Sequence, residues 1–130
     1  MDARAPKAAQ GTVLHKSAQI LDLSHLAAQT GGDHALQREI LALFVRQSQE
    51  ILTLLRDDDA LPQVRADLAH KLKGSARTIG AFEFAQAAET VETGLRAGHA
   101  MPAALKDLSA DADAADAAIS FYLTSLSHNG

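Results

Sequence analysis

An all-α fold is predicted for this chain: an antiparallel up-down four-helix bundle preceded by a short N-terminal helix. Three observations carry the prediction. Alanine and leucine dominate a chain of 130 residues that is 47% hydrophobic but only 4% aromatic; both are strong helix formers, and β-branched residues are scarce. Apolar residues recur at three- and four-residue spacing along four long stretches. Glycine, proline and aspartate leave only short links between those stretches, and short links make consecutive helices antiparallel neighbours.

The elements follow in order. Residues 1–18 (MDARAPKAAQGTVLHKSA) sustain no period and are expected to form a flexible tail, with the bundle domain over 19–130. Asp22 opens a short first helix that ends near Gly31-Gly32, since glycine commonly follows a helix end. Asp33 is the N-cap of the second helix, whose apolar stripe reads Leu36, Ile40, Leu43, Phe44, Ile51, Leu54 and Leu55 until Asp57-Asp58-Asp59 ends it. Pro62 suits the first turn of the third helix. Its expected inward stripe is Leu61, Val64, Leu68, Leu72, Ser75, Ala76 and Ile79, broken by Gly80. The fourth helix carries Ala81, Phe84, Ala85, Ala88, Val91 and Leu95 inward and closes at Gly94 or Gly98. Pro102 starts the fifth, with Leu105, Leu108, Ala112, Ala115, Ile119, Leu123 and Leu126 inward.

Several classes of function are disfavoured. The chain has no cysteine, so disulfide and thiolate chemistry is excluded. A net charge of -4 without a long single-sign block gives no nucleic-acid footprint. No apolar run approaches the roughly 20 residues that span a bilayer, and the N-terminus lacks the order of a secretory signal. A soluble, cytoplasmic protein is expected. Di-iron bundles need paired Glu-x-x-His elements; Asp67-x-x-His70 has the spacing but stands alone, and His25 and His34 fall in turn regions, so no metal site is expected. There is no glycine-rich nucleotide-binding segment or P-loop pattern.

The chemistry concentrates in Ala69-His70-Lys71-Leu72-Lys73-Gly74-Ser75-Ala76-Arg77-Thr78-Ile79-Gly80-Ala81 on helix three. Opposite the expected inward stripe, Ala66, His70, Lys73, Gly74 and Arg77 share the solvent face, with His70 pointing almost directly away from the core. Lys73 and Gly74 lie one turn from His70 on the same side. Glycine in mid-helix costs about 1 kcal/mol relative to alanine, so its presence beside an imidazole suggests close approach by another molecule. Arg65, Lys71, Lys73 and Arg77 make basic surroundings on an acidic chain, which favours an anion or an acidic partner. Folding helices three and four back about Ala81 sets His70 level with Glu92, with Arg96 one turn beyond. A carboxylate there would fix the imidazole tautomer and leave the other nitrogen free as nucleophile. Ser75 falls on the inward stripe and reads as a small packing residue; His15, His99 and His128 read as solvated.

The segment His70-x-Leu72-Lys73-Gly74-Ser75-Ala76-x-x-Ile79-Gly80-Ala81 resembles the phosphorylation segment of the histidine-containing phosphotransfer (HPt) domains of multistep phosphorelays. The likeness extends to Leu21-Asp22, Gly31-Gly32-Asp33 and Leu43-Phe44, so that the chain from Ile20 onward is similar to the family's layout. It implies that His70 carries a phosphoryl group at Nε2, taken from an aspartyl phosphate of one receiver domain and passed to another. By the same resemblance Glu92 would bond the other ring nitrogen and Lys73 would steady the phosphoryl oxygens. Arg77 and Arg96 would add positive support, and Gly74, with Ala66 beside it, would let the receiver pack closely. Arg46, Gln47 and Glu50 on helix two are expected rim contacts.

The implied partners are the receiver domains of response regulators and hybrid histidine kinases, not nucleic acid or membrane. Mg²⁺ is expected on the receiver, and no cofactor on this chain. Dimerising sensor kinases place an acidic residue directly after their histidine; here Lys71 follows, so a monomeric carrier without autokinase activity is expected. The alternative is a non-catalytic docking module that binds a receiver or kinase without being phosphorylated. Met1 leans toward a free-standing carrier rather than a piece of a hybrid kinase.

Overall fold

The computed structural model describes residues 20–129; the tail expected over 1–18, with His15, and the side chain of His128 lie outside what is described. Among the described residues all regular structure is helical. The helices are α1 (Leu23–Thr30), α2 (His34–Leu55), α3 (Pro62–Ile79), α4 (Phe82–Arg96) and α5 (Pro102–Asn129).

Local chemistry sets the boundaries. The Asp22 carboxylate accepts from the His25 backbone N–H at the start of α1, and Asp33 accepts from that of Leu36 at the start of α2, so each satisfies a donor the first turn leaves free. Pro62 occupies the first turn of α3, where a missing N–H costs nothing. Gly31 (φ 61°) and Gly80 (φ 88°) end α1 and α3 in the left-handed region. At Gly80 a second constraint operates. Its carbonyl accepts from Asp22 N–H at 2.9 Å, and a Cβ there would stand 2.7 Å from the Asp22 carbonyl oxygen. The same glycine therefore ends α3 and pins the entry to α1. α4 runs past Gly94 to Arg96 and turns at Gly98 (φ 85°). Gly94 instead leaves room for the Met101 thioether, which would have to shift to admit a Cβ.

The inward faces of α4 and α5 are as expected: Phe84, Ala85, Ala88, Val91 and Leu95 are buried, as are Leu105, Leu108, Ala112, Ala115, Ile119 and Leu126, while Leu123 packs half-buried at the edge. Those of α2 and α3 are rotated. α2 buries Gln37, Leu41, Phe44, Ser48, Ile51, Leu52 and Leu55, leaving Leu36, Leu43 and Leu54 exposed. α3 buries Arg65, Ala66, Ala69, Leu72, Ala76 and Ile79, leaving Leu61 and Val64 exposed. The reason is close packing. α3 meets α4 along the most extensive interface of the fold, and alanines at 66, 69 and 76 allow that approach where leucine and valine side chains would hold the helices apart. α2 packs on α3, α4 on α5 and α5 back on α2, around a core in which Phe44 meets Phe84 edge-to-face with ring centroids 5.7 Å apart.

Two of the buried polar residues join separate elements. The Arg65 guanidinium donates to the Leu55 carbonyl, which ends α2 without a helical partner. Gln37 donates to Thr30 Oγ1 at 2.9 Å and accepts from the Tyr122 hydroxyl, tying α1, α2 and α5 together.

Candidate functional site

The rotation of α3 decides the site. With Ala66, Ala69 and Ala76 inward, the core direction turns by roughly 70° from the expected stripe at 3.6 residues per turn. His70 is thereby brought to the α3–α4 edge instead of pointing squarely away. Its imidazole remains 63% exposed, and Nδ1 lies 3.0 Å from Glu92 Oε2. Glu92 is 11% exposed by side chain and sits beside the buried stripe of α4. The level pairing of these two residues is as the hairpin register predicts.

Glu92 is held from three sides. Arg96, four residues on, donates to Oε2 through Nε at 3.1 Å and through an Nη at 3.0 Å. Lys73 Nζ stands 2.9 Å from Oε1; that contact is off the hydrogen-bonding direction, so Oε1 has a cation beside it but no aligned donor. Burial pushes the Glu92 carboxyl up, but Lys73, Arg96 and His70 together outweigh it and leave the group below its ordinary value. An ionised carboxylate only accepts, so His70 Nδ1 carries the proton in this bond. In the neutral ring this places the lone pair on Nε2, which makes no hydrogen bond among the described residues.

Other predicted residues fall differently. Lys73 was expected on the open face, yet its side chain is only 13% exposed because it folds over Glu92. Arg77 is half-exposed and pairs with Glu89 at 3.6 Å, outside the His70–Glu92 cluster. Ala66 is fully buried, which corrects its placement on the docking face: its methyl packs in the core and is not presented to a partner. Arg65 is also buried, so the basic surroundings are weaker than its inclusion suggests; Lys71 remains exposed. On α2, Arg46 is exposed but lines the groove toward α5 with Arg38 and Asp116, away from His70. Gln47 is half-buried and Glu50 exposed.

Gly74 is exposed, and a Cβ on it would meet nothing within 4 Å. In contrast with Gly80 and Gly94, nothing among the described residues packs where its side chain would be. One member of the cluster was missed by the sequence reading, which weighed Asp67 only as a metal ligand: its carboxylate accepts from Arg96 at 3.1 Å. The signal was available, since the register that levels His70 with Glu92 also sets Asp67 beside Arg96. Among the described residues no group of three or more His, Cys, Asp or Glu side chains could hold a metal ion, and no helix is long and apolar enough to cross a membrane.

The family model of the Hpt domain matches residues 39–118, a span that contains His70, Lys73, Gly74, Glu92 and Arg96. No curated protein and no solved structure matches the chain significantly. The match covers more than half of the sequence and frames the His70–Glu92 cluster, and so this chain belongs to the Hpt domain family, whose members serve phosphotransfer in phosphorelays.

Proposed function

We propose that this protein relays a phosphoryl group between receiver-domain aspartates through a phosphohistidine at His70. The observation that carries the reading is the exposed imidazole whose Nδ1 is bonded to Glu92 at 3.0 Å, with Nε2 unoccupied. The Nε2 lone pair attacks the phosphorus of an aspartyl phosphate in line. The N–P bond forms as the P–O bond to the aspartate breaks, and the receiver's carboxylate leaves with that electron pair. The Nδ1 proton stays in place, so the ring becomes cationic on phosphorylation. Glu92, ionised and almost buried, offsets that charge and fixes the ring for attack. Transfer to the next receiver is the same step reversed. Lys73 and Arg96, both held against Glu92, place positive charge beside the ring that takes the phosphoryl group. Mg²⁺ is supplied by the receiver.

The docking surface is the exposed face of α3 around His70 and Gly74 with adjoining parts of α2 and α4. Its support is the unexplained opening at Gly74 and the apolar Leu36 and Leu43 that α2 leaves outside the core. Short connections, the ring of helix contacts and the level pairing of His70 with Glu92 support an antiparallel up-down bundle. The carrier acts as a cytoplasmic monomer, with its site complete in one chain. The test is transfer from a panel of phosphorylated receiver domains to the parent and to His70→Gln. Acid-labile, alkali-stable label on the parent alone is expected. Failure to label with every receiver tried would replace the relay with a docking module that binds without being phosphorylated.

A further inference from the structure

We propose that Asp67 is a positioning residue for the phosphoryl-accepting imidazole, acting through Arg96; this rests on the reading of His70 given above. Four side chains close a circuit across the α3–α4 interface. His70 and Asp67 stand one turn apart on α3, and Glu92 and Arg96 one turn apart on α4. His70 bonds Glu92 at 3.0 Å, and Arg96 bonds Asp67 at 3.1 Å. The Arg96 guanidinium closes the fourth side on Glu92 Oε2, the same oxygen that meets His70.

The need for Asp67 follows from how Arg96 is held. Both Arg96 donors converge on one carboxylate oxygen instead of spanning two, so Glu92 alone leaves the guanidinium free to swing about Oε2. The Arg96 side chain is 36% exposed, so its head group lies at the rim of the interface, where solvent competes for its donors. The bond to Asp67 supplies a second anchor on the opposite helix, and a planar fork held at two carboxylates has one orientation. A fixed guanidinium keeps Oε2 turned toward Nδ1, and that carboxylate direction sets the imidazole plane and tautomer. Asp67 also offsets part of the Arg96 charge, so that Glu92 keeps enough negative charge to hold the Nδ1 proton. Asp67 is itself 66% exposed, and replacing it leaves the core untouched.

The experiment compares parent, Asp67→Asn, Arg96→Gln and the double variant by two readouts. One is the ¹⁵N signal pair of the His70 imidazole, which reports tautomer populations without any phosphoryl group. The other is the rate of phosphoryl transfer from a receiver domain that labels the parent. Asp67→Asn is expected to raise the share of the other tautomer and to slow transfer about threefold to fivefold, the scale of a partly exposed ion pair. In the Arg96→Gln background the Asp67 substitution is expected to add nothing further, because its effect passes through the guanidinium. An unchanged ¹⁵N pattern in Asp67→Asn, or an equal loss in the Arg96→Gln background, overturns the proposal. If the parent takes no label from any receiver, the phosphohistidine reading falls, while the ¹⁵N signals still decide whether Asp67 positions the ring.

Discussion

Glu92 and His70, 22 positions apart in the chain, meet at 3.0 Å across the α3–α4 interface. The contact pairs an almost buried carboxylate with a mostly exposed ring. That asymmetry suits the proposed relay: the charge beside the ring is sheltered from solvent screening, and the nitrogen proposed to take the phosphoryl group stays accessible to a partner.

Removing the Glu92 charge should reveal its part in stability. Burial pushes the group up, yet Lys73, Arg96 and His70 hold it lower overall, so the folded protein binds this proton less readily than the unfolded chain. Its ion pairs therefore stabilise fully above the unfolded value of about 4.3 and fade as pH falls through the lower folded value. Glu92→Gln is expected to be less stable by about 1–2 kcal/mol at neutral pH, with the gap closing in acid. Urea midpoints across that range check it; a gap that persists at the lowest pH would assign the loss to shape, not charge.

Lys73→Ala should slow phosphoryl transfer about tenfold, the scale of one charge-assisted hydrogen bond, without abolishing it. Arg96 still holds Glu92 in that variant, so the bond to His70 survives. Single-turnover transfer measures the loss. Complete inactivity would give Lys73 a role beyond electrostatic support.

Gly74 separates folding from docking. Its Cβ position is open and mid-helix, so Gly74→Ala should stabilise by about 0.5–1 kcal/mol. Gly74→Gln should stay folded and be no less stable while losing transfer, because the longer side chain occupies the space a receiver needs. Thermal melts and transfer rates on the same samples test both. Equal transfer by Gly74→Gln and parent would remove the steric argument.

Asp116 acts in the opposite sense to Glu92. Burial and then Asp113 raise its carboxyl above the ordinary value, and Oδ1 is buried without a partner. The folded state holds this proton more tightly than the unfolded chain, so the ionised group weakens the fold as pH rises past about 3.9 and through the raised folded value. Asp116→Asn is expected to gain about 0.5–1 kcal/mol at neutral pH, with the gain disappearing in acid. Denaturant midpoints at both ends of the range decide it, and a loss at neutral pH would mean that the carboxylate is satisfied in solution.

The helices, most of their ends and the level pairing of His70 with Glu92 were legible in the sequence because each rests on local rules. Asp22 and Asp33 cap, Pro62 begins, and Gly31 and Gly80 end their helices through backbone geometry that a few neighbouring residues dictate. The level pairing of His70 with Glu92 follows from helix rise and a short turn alone. What only the tertiary structure decided is which part of a wide apolar arc faces inward. Leu36, Leu43, Leu61 and Val64 look like core to any count of hydropathy, yet they lie outside it, because alanines at 66, 69 and 76 let α3 approach α4 closely. That rotation buries Ala66, carries Lys73 over Glu92 and turns His70 to the α3–α4 edge. Arg65 is buried for a related reason: the end of α2 leaves a carbonyl at Leu55 that its guanidinium satisfies. Periodicity reports that a helix has an apolar side. The size and unmet hydrogen bonds of the neighbouring helix choose the line along which that side is buried.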